Sequence, residues 1–461
     1  MVFSFIADLS TSASILLIVC LLAVCIFEAI NGFHDTANAV ATVIYTNTLR
    51  PMVAVVWSGI WNFLGVLLGG IAVAMSIVKL IPINDLIFQS LGENVSLVLA
   101  VLLSAIIWNL GTWYFGIPCS SSHTLIGALL GGGFGFFLAH GGEGVNWSKA
   151  ADIGLSLLIS PMFGFSMAII LMFLLKTYIK NKIIFKEPDA KKAPPMWIRG
   201  ILVLTCTLVS FFHGSNDGQK GVGLLLVVMM AFMPLQFALN QDIQVKEFKK
   251  AALSIESRLR KNLNTVEETA HLQIMADQAG KLAIQIDSAD LKNKNQVFAL
   301  RNGIQKYAKA LDADLKGRVI PAAIAPAISK DLKMLKSSYE FAPYWAILLI
   351  SICLGIGTMI GWKRIVVTIG EKIGKSHLTY AQGASAEVCA AATIGVSTAF
   401  GLPVSTTHVL SSGIAGTMVA SGGVKNLQKK TITSIALAWL LTLPVSFALA
   451  FILFSILRLL F

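Results

Sequence analysis

The chain has 461 residues, 56% of them hydrophobic and only 13% charged, with a mean hydropathy of +0.75. Soluble globular chains carry roughly 25% charged residues, so this composition excludes an ordinary soluble domain and sets most of the chain against lipid or other apolar helices. The net charge of +12 does not make it a nucleic-acid binder: no basic stretch is interleaved with aromatics, and loop Lys and Arg set membrane orientation.

Apolar runs near the ~20 residues that span a bilayer recur at 14–27, 53–78, 95–108, 153–175, 346–361 and 433–454. Backbone groups in hydrocarbon must pair within their own segment, so these runs read as helices; the short alternating segments of a membrane β-barrel are missing. No Lys or Arg precedes Arg50, which leaves no basic region for a cleavable signal peptide. The six cysteines lack zinc-like pair spacing and read as packing residues. The expected organisation is a first membrane repeat over 1–176, a basic cytoplasmic linker over 177–197, and the start of a second repeat over 198–234. A polar α-helical insertion over 235–340 follows, a small hairpin or bundle by its apolar spacing, and then the rest of the second repeat over 341–461.

Two motifs occur twice, in the same order. Gly32-Phe33-His34-Asp35-Thr36-Ala37-Asn38 is paired with Gly214-Ser215-Asn216-Asp217-Gly218-Gln219-Lys220. Pro118-Cys119-Ser120-Ser121-Ser122-His123-Thr124-Leu125 is paired with Pro403-Val404-Ser405-Thr406-Thr407-His408-Val409-Leu410. Such recurrence marks an internal repeat. Basic loops after Leu175, after Gly361 and around Lys425 lie inside by the positive-inside rule, which puts both termini outside. Each repeat then crosses an odd number of times and the two are inverted, with a ligand site near mid-membrane at their interface. The same count puts 235–340 outside.

The second motif places three hydroxyls after a proline, between two apolar helices, with only Gly116-Ile117 or Gly401-Leu402 before the proline. Proline favours a first helical turn, and a helix N-terminus favours an anion through its free N–H groups and dipole. Two re-entrant hairpin tips facing each other would make a cage for a tetrahedral oxyanion from Ser120, Ser121, Ser122, Ser405, Thr406 and Thr407. The plain alternative is N-capping by serine; the matched pair favours the ligand site. Asp35 and Asp217 stand in apolar surroundings, where a carboxylate is expensive and marks an ion pathway or a paired site. The Asn31-Gly32 and Gly214-Ser215 interruptions fit broken helices. A carboxylate and an oxyanion repel, so a proton or a metal ion must bridge them, and cation co-transport follows. His34 stands where the second copy has Asn216, and Lys220 where the first has Asn38. A histidine that titrates near neutrality and a buried ammonium favour proton coupling over sodium. Glu28, seven residues before Asp35, Glu387 before the second tip, and Gln382 are further candidates. His123 and His408 read equally as caps and as ligand contacts.

On these motifs the sequence resembles the PiT family of inorganic phosphate transporters over both membrane regions, roughly 1–234 and 341–461. The family signature Gly-Ala-Asn-Asp-Val-Ala-Asn-Ala appears as Gly32 to Ala39 and, more divergent, as Gly214 to Gly221. His34 and Lys220 are similar to the departures of the bacterial low-affinity Pit branch, whose members are symporters of protons with metal–phosphate complexes. The resemblance implies that Asp35, Asn38, Asn216 and Asp217 contact phosphate or its cation, and that the Ser and Thr triplets hold the phosphate. It also implies a homodimer in a bacterial inner membrane.

The expected fold is an all-α polytopic membrane protein of two inverted repeats, with broken helices, re-entrant hairpins and the polar insertion. The expected function is import of phosphate, also as a neutral metal–phosphate complex, with protons. Cation coupling falls to His34, Asp35, Asp217, Lys220, Glu28 and Glu387. No cofactor, dedicated metal site or nucleic-acid partner is expected. Sodium coupling on the same site and a sulfate transporter on the same scaffold are the alternatives. Sulfate carries no proton for Asp35 or Asp217 to accept, which favours phosphate. A membrane phosphatase would need a nucleophile with a positioned base, and a receptor would act through 235–340.

Overall fold

The structure, a computed structural model, describes residues 9–81, 83–189, 192–262, 266–371 and 373–461. Among the described residues there is no β-strand, only an isolated antiparallel bridge between Gly374 and Leu427. The chain divides into two units, one formed by 1–232 with 342–461 and the other by 233–341.

In the first unit the helices are α1 (Thr11–Tyr45), α2 (Pro51–Leu68), α3 (Ala72–Val78), α4 (Ile83–Phe88), α5 (Leu91–Tyr114), α6 (Ser121–His140), α7 (Trp147–Tyr178) and α8 (Met196–His213). A π-helical turn, Gly214–Gly218, carries α8 into α9 (Gln219–Phe232). In the second unit a short α10 (Pro234–Ala238) precedes α11 (Val245–Lys261), α12 (Val266–Ser288), α13 (Lys294–Lys316) and α14 (Ala325–Ser337). The first unit resumes with α15 (Tyr344–Met359), α16 (Lys363–Glu371), α17 (Tyr380–Ala399), α18 (Thr406–Gly422) and α19 (Lys429–Leu457). Seven described helical stretches, including α8–α9 as one, are long and apolar enough to cross a membrane; α15 is apolar but shorter.

The element order of residues 11–178 recurs in 196–232 with 344–457. The helices opening the halves carry the Asp motifs, and those closing them, α7 and α19, each hold one internal proline, Pro161 and Pro444. Packing is reciprocal: α6 lies on α19, and α18 on α7. α1 and α15 run in the same direction, since Ala29 meets Gly357 and Phe33 meets Gly361. α2 and α8 do likewise, with Ser58 on Ser210, Asn62 on His213 and Val66 on Gly218. α2 crosses α15 in the opposite sense, with Gly59 against Met359 and Gly355 against Phe63.

Three local expectations are corrected. The helix does not break at Asn31-Gly32: α1 is continuous for 35 residues. Gly32 serves close packing instead, since a Cβ there would lie 2.6 Å from the Leu354 carbonyl oxygen. Only the second copy is irregular, as a π turn. The apolar run 53–78 is two helices, because Gly70 takes φ +79°, a conformation open to glycine and costly for other residues.

The third correction concerns the prolines. α5 and α17 both end in a Schellman motif: Gly116 N–H donates to Trp113 O and Ile117 N–H to Thr112 O, as Gly401 does to Thr398 O and Leu402 to Ser397 O, all at 2.9 Å. Both glycines have φ +66°. Pro118 and Pro403 therefore stand just past a helix stop rather than in a first turn. The next helices begin at Ser121 and Thr406, capped by Ser120 and Ser405.

The second unit has its own core, built on Phe248, Ile255, Leu259, Leu282, Ile304, Leu311, Ile328 and Leu335. Arg301 is buried there and donates to the carbonyls of Ala238 (2.8 Å) and Phe237 (3.2 Å), the end of α10. Burial lowers its pKa to about 10, which still leaves it charged at neutral pH.

Candidate functional site

Both hairpin tips converge on Asp35. The Ser121 hydroxyl, first residue of α6, donates to Asp35 Oδ2 at 2.8 Å. The Thr407 hydroxyl, at the start of α18, donates to Asp35 Oδ1 at 2.6 Å, and Thr406 Oγ1 lies 3.5 Å from Oδ2. One carboxylate from α1 thus ties together two helix N-termini from different halves. Its depth explains the need for donors: Asp35 is 2% exposed, and an unpaired buried carboxylate is costly.

The seventh residue of each Asp motif reaches the third hydroxyl of the opposite hairpin. Asn38 Nδ2 donates to Thr407 Oγ1 at 3.1 Å, and the Lys220 ammonium donates to the Ser122 hydroxyl. Lys220 also donates to Asp217 Oδ1 (2.8 Å) and to Val404 O (3.0 Å). It is buried, so it does not snorkel. The first half places an amide where the second places a lysine.

His213, which sequence reasoning missed, lies between the carboxylates. Its Nε2 is 3.6 Å from Asp35 Oδ2 and 3.8 Å from Asp217 Oδ2, and Asn62 Oδ1 fixes the other ring nitrogen at 2.7 Å. His213 Nε2 and Asp217 Oδ2 are buried without a hydrogen-bond partner. Ligand atoms of Asp35, His213 and Asp217 lie within 4.8 Å of one another, so two carboxylate oxygens and an imidazole could hold a cation. The signal was in the aligned repeats: His213 precedes Gly214 as Asn31 precedes Gly32.

The remaining candidates divide. His34 Nδ1 is 3.3 Å from Asp35 Oδ1, and its Nε2 faces Thr112. The Asn216 side chain is spent on the second tip, through Leu402 O (3.1 Å), Thr398 Oγ1 (2.9 Å) and Val404 N–H (3.2 Å). Ser120 and Ser405 turn back to cap their own helices, so at these two positions the capping alternative holds. Behind the caps the His123 and His408 rings meet at a tilt of 34°, with centroids 4.5 Å apart. Glu28 is buried against Gly221, beside Lys220 in sequence, with Oε2 unpartnered. Glu387 lies away from the cage, bonded by the Thr205 hydroxyl on α8, with Oε1 unpartnered. Gln382 completes a capping box with Thr379 at the start of α17, a structural task.

Residues 31–450 match the Phosphate transporter family. The chain belongs to that family. It is 42% identical to the low-affinity inorganic phosphate transporter PitA of Escherichia coli (strain K12), across 96% of this chain and 97% of the relative. The low-affinity inorganic phosphate transporter of Buchnera aphidicola subsp. Acyrthosiphon pisum is also 42% identical, across 96% of both. A solved structure described as the sodium-dependent phosphate transporter superposes with a TM-score of 0.55, across 97% of this chain and 100% of that one. At 20% identity that likeness speaks for the fold. The chain is therefore a phosphate transporter, not an enzyme, and a multi-pass protein of the bacterial inner membrane. The sulfate alternative finds no support among these relatives.

Proposed function

We propose that the chain is a symporter that imports inorganic phosphate with protons, and that hydroxyl exchange at Asp35 couples the two. The observation that carries this reading is the pair of hairpin-tip hydroxyls, Ser121 and Thr407, both committed to Asp35. A protonated Asp35 is a weaker acceptor, which frees those hydroxyls and the helix N-termini for phosphate oxygens. Asn38 and Asn216 support the tips, and Ser122 and Thr406 complete the cage. Ser120 and Ser405 act through their caps.

Charge balance demands co-transport. Ionised Asp35 and Asp217 with a phosphate dianion sum to −4, and Lys220 returns +1. Protons on Asp35, His34 and His213 supply the remaining +3; a divalent metal at Asp35, His213 and Asp217 supplies +2 and leaves one proton to complete the balance. The metal then travels as part of the cargo in a metal–phosphate complex. Lys220, fixed where the other half has Asn38, favours protons over sodium. Glu28 and Glu387, each with an unpartnered oxygen, are the outlying proton carriers of this reading.

We also read the halves as inverted. α8 runs with α2, and α1 with α15, whereas α2 and α15 oppose each other; α8, the counterpart of α1, therefore runs against it. The homodimer is carried on the family resemblance, and cross-linking in membranes tests it.

The experiment is labelled-phosphate uptake into liposomes under an imposed proton or sodium gradient, with and without Mg2+. Uptake driven by protons and lost in Asp217→Asn is expected. Uptake that needs sodium and ignores the proton gradient contradicts the coupling while leaving the phosphate site intact.

A further inference from the structure

A second concave site lies on the same unit, away from the hydroxyl cage. A cavity of about 560 Å3 opens between the end of α7, the start of α17 and the end of α18. The 20-residue α17, about 30 Å long at 1.5 Å per residue, separates it from the second hairpin tip. Lys176, Lys375, Lys425 and His377 line it, with Glu187 the one carboxylate among the described lining residues. Met172 and Phe185 give it an apolar wall.

The rim is built, not incidental. Lys375 N–H donates to Asn426 O at 2.7 Å, Gln428 N–H to Ile373 O at 3.0 Å, and Gln428 Nε2 to Gly374 O at 2.8 Å. These bonds fix the segment bearing Lys375 to the segment bearing Lys425. Lys176 is held by the Ala420 carbonyl at 2.9 Å, which draws α7 onto the same rim. Three lysines from three elements therefore line one space.

That space exceeds what inorganic phosphate needs and falls in the usual range for small-molecule sites. An apolar wall with a cationic rim suits an amphiphilic anion. The same end of α7 exposes Phe173, Leu174 and Tyr178, with Tyr178 76% exposed; an apolar face ending in tyrosine marks the lipid boundary at the interface. The basic loops put this end on the cytoplasmic side, where anionic headgroups attract clustered lysines. We propose that this cavity binds the phosphate headgroup of an anionic phospholipid, with Lys176, Lys375 and Lys425 as its charge partners and Met172 and Phe185 against its glycerol and first methylenes.

The test is melting of the full chain in detergent, with saturating inorganic phosphate in every arm so that the transport site is filled throughout. The probes are dioctanoyl phosphatidylglycerol, dioctanoyl phosphatidylcholine and glycerol 3-phosphate. Phosphatidylglycerol is expected to raise the melting temperature above the phosphatidylcholine control. Its apparent affinity should weaken roughly fivefold for each lysine removed in the series ending at Lys176→Gln/Lys375→Gln/Lys425→Gln. The same-face control Lys180→Gln/Lys182→Gln should behave as wild type. If the triple variant is poorly folded, Lys425→Gln alone, in an exposed turn, carries the same expectation. Equal responses to the two lipids, an unchanged triple variant, or a control that loses the response would overturn the proposal. An equal shift from glycerol 3-phosphate would assign the cavity to a soluble phosphorylated anion and overturn the lipid.

Discussion

Lys220 and His213 set the character of the site, one by charge and one by position. Lys220 is the ion-pair partner of Asp217, and removing one partner of a buried pair leaves the other uncompensated. Lys220→Gln should lower the maximal rate of phosphate uptake at least tenfold while the protein still folds, read from initial rates and a melting curve. His213→Gln keeps a polar group on Asn62 but cannot carry a proton or a positive charge. It should lower proton-driven uptake, and an unchanged rate would remove His213 from the coupling. Much of this was legible in the sequence: the repeated motifs singled out Asp35, Asp217, Lys220 and both hydroxyl triplets. His213 was not, because it stands one position outside the motif and its partner Asn62 comes from a helix 151 residues earlier. Nor did sequence distinguish Ser121 from Ser120: which hydroxyl caps and which reaches Asp35 depends on where the helix starts.

At the scale of elements, glycine decides how closely the halves approach. Gly32 lies against the backbone of α15, where a Cβ would stand 2.6 Å from Leu354 O and 2.7 Å from Thr358 N. Neither atom can rotate away. Gly32→Val should force α1 and α15 apart at about 1–3 kcal/mol, seen as a lower melting temperature together with lost uptake, since Asp35 is one turn further on. Gly116→Ala, at φ +66°, should cost about 1 kcal/mol and loosen the first hairpin tip. The hairpins themselves could be read from Gly-Ile-Pro and Gly-Leu-Pro, but the role given to proline could not. Proline marks a helix stop as readily as a start, and only the paired 2.9 Å bonds of the Schellman motif separate the two. The expected break at Gly32 failed for a related reason: glycine marks a bend or a close contact, and the sequence does not say which.

At the scale of the whole molecule, the proposed site falls in the first unit, which holds both Asp motifs and both hairpins. The second unit, 233–341, has a separate core and none of the cage residues. Replacing 235–340 by a short Gly/Ser linker should leave phosphate uptake within a few-fold of wild type; complete loss in a folded variant would place part of the transport function in the insertion. Composition shift alone outlines the polar segment, because a bundle of soluble helices needs charged faces that a membrane helix cannot carry. The helix count was less legible: run 53–78 conceals two helices.

Coupling through Asp35 is tested by proton-driven uptake of labelled phosphate into liposomes by wild type and by Asp35→Asn, with phosphate binding measured on the same preparations. Asparagine keeps the size of the side chain but cannot release a proton, so phosphate should still bind while the imposed proton gradient no longer drives accumulation. Full gradient-driven accumulation by Asp35→Asn would contradict that coupling.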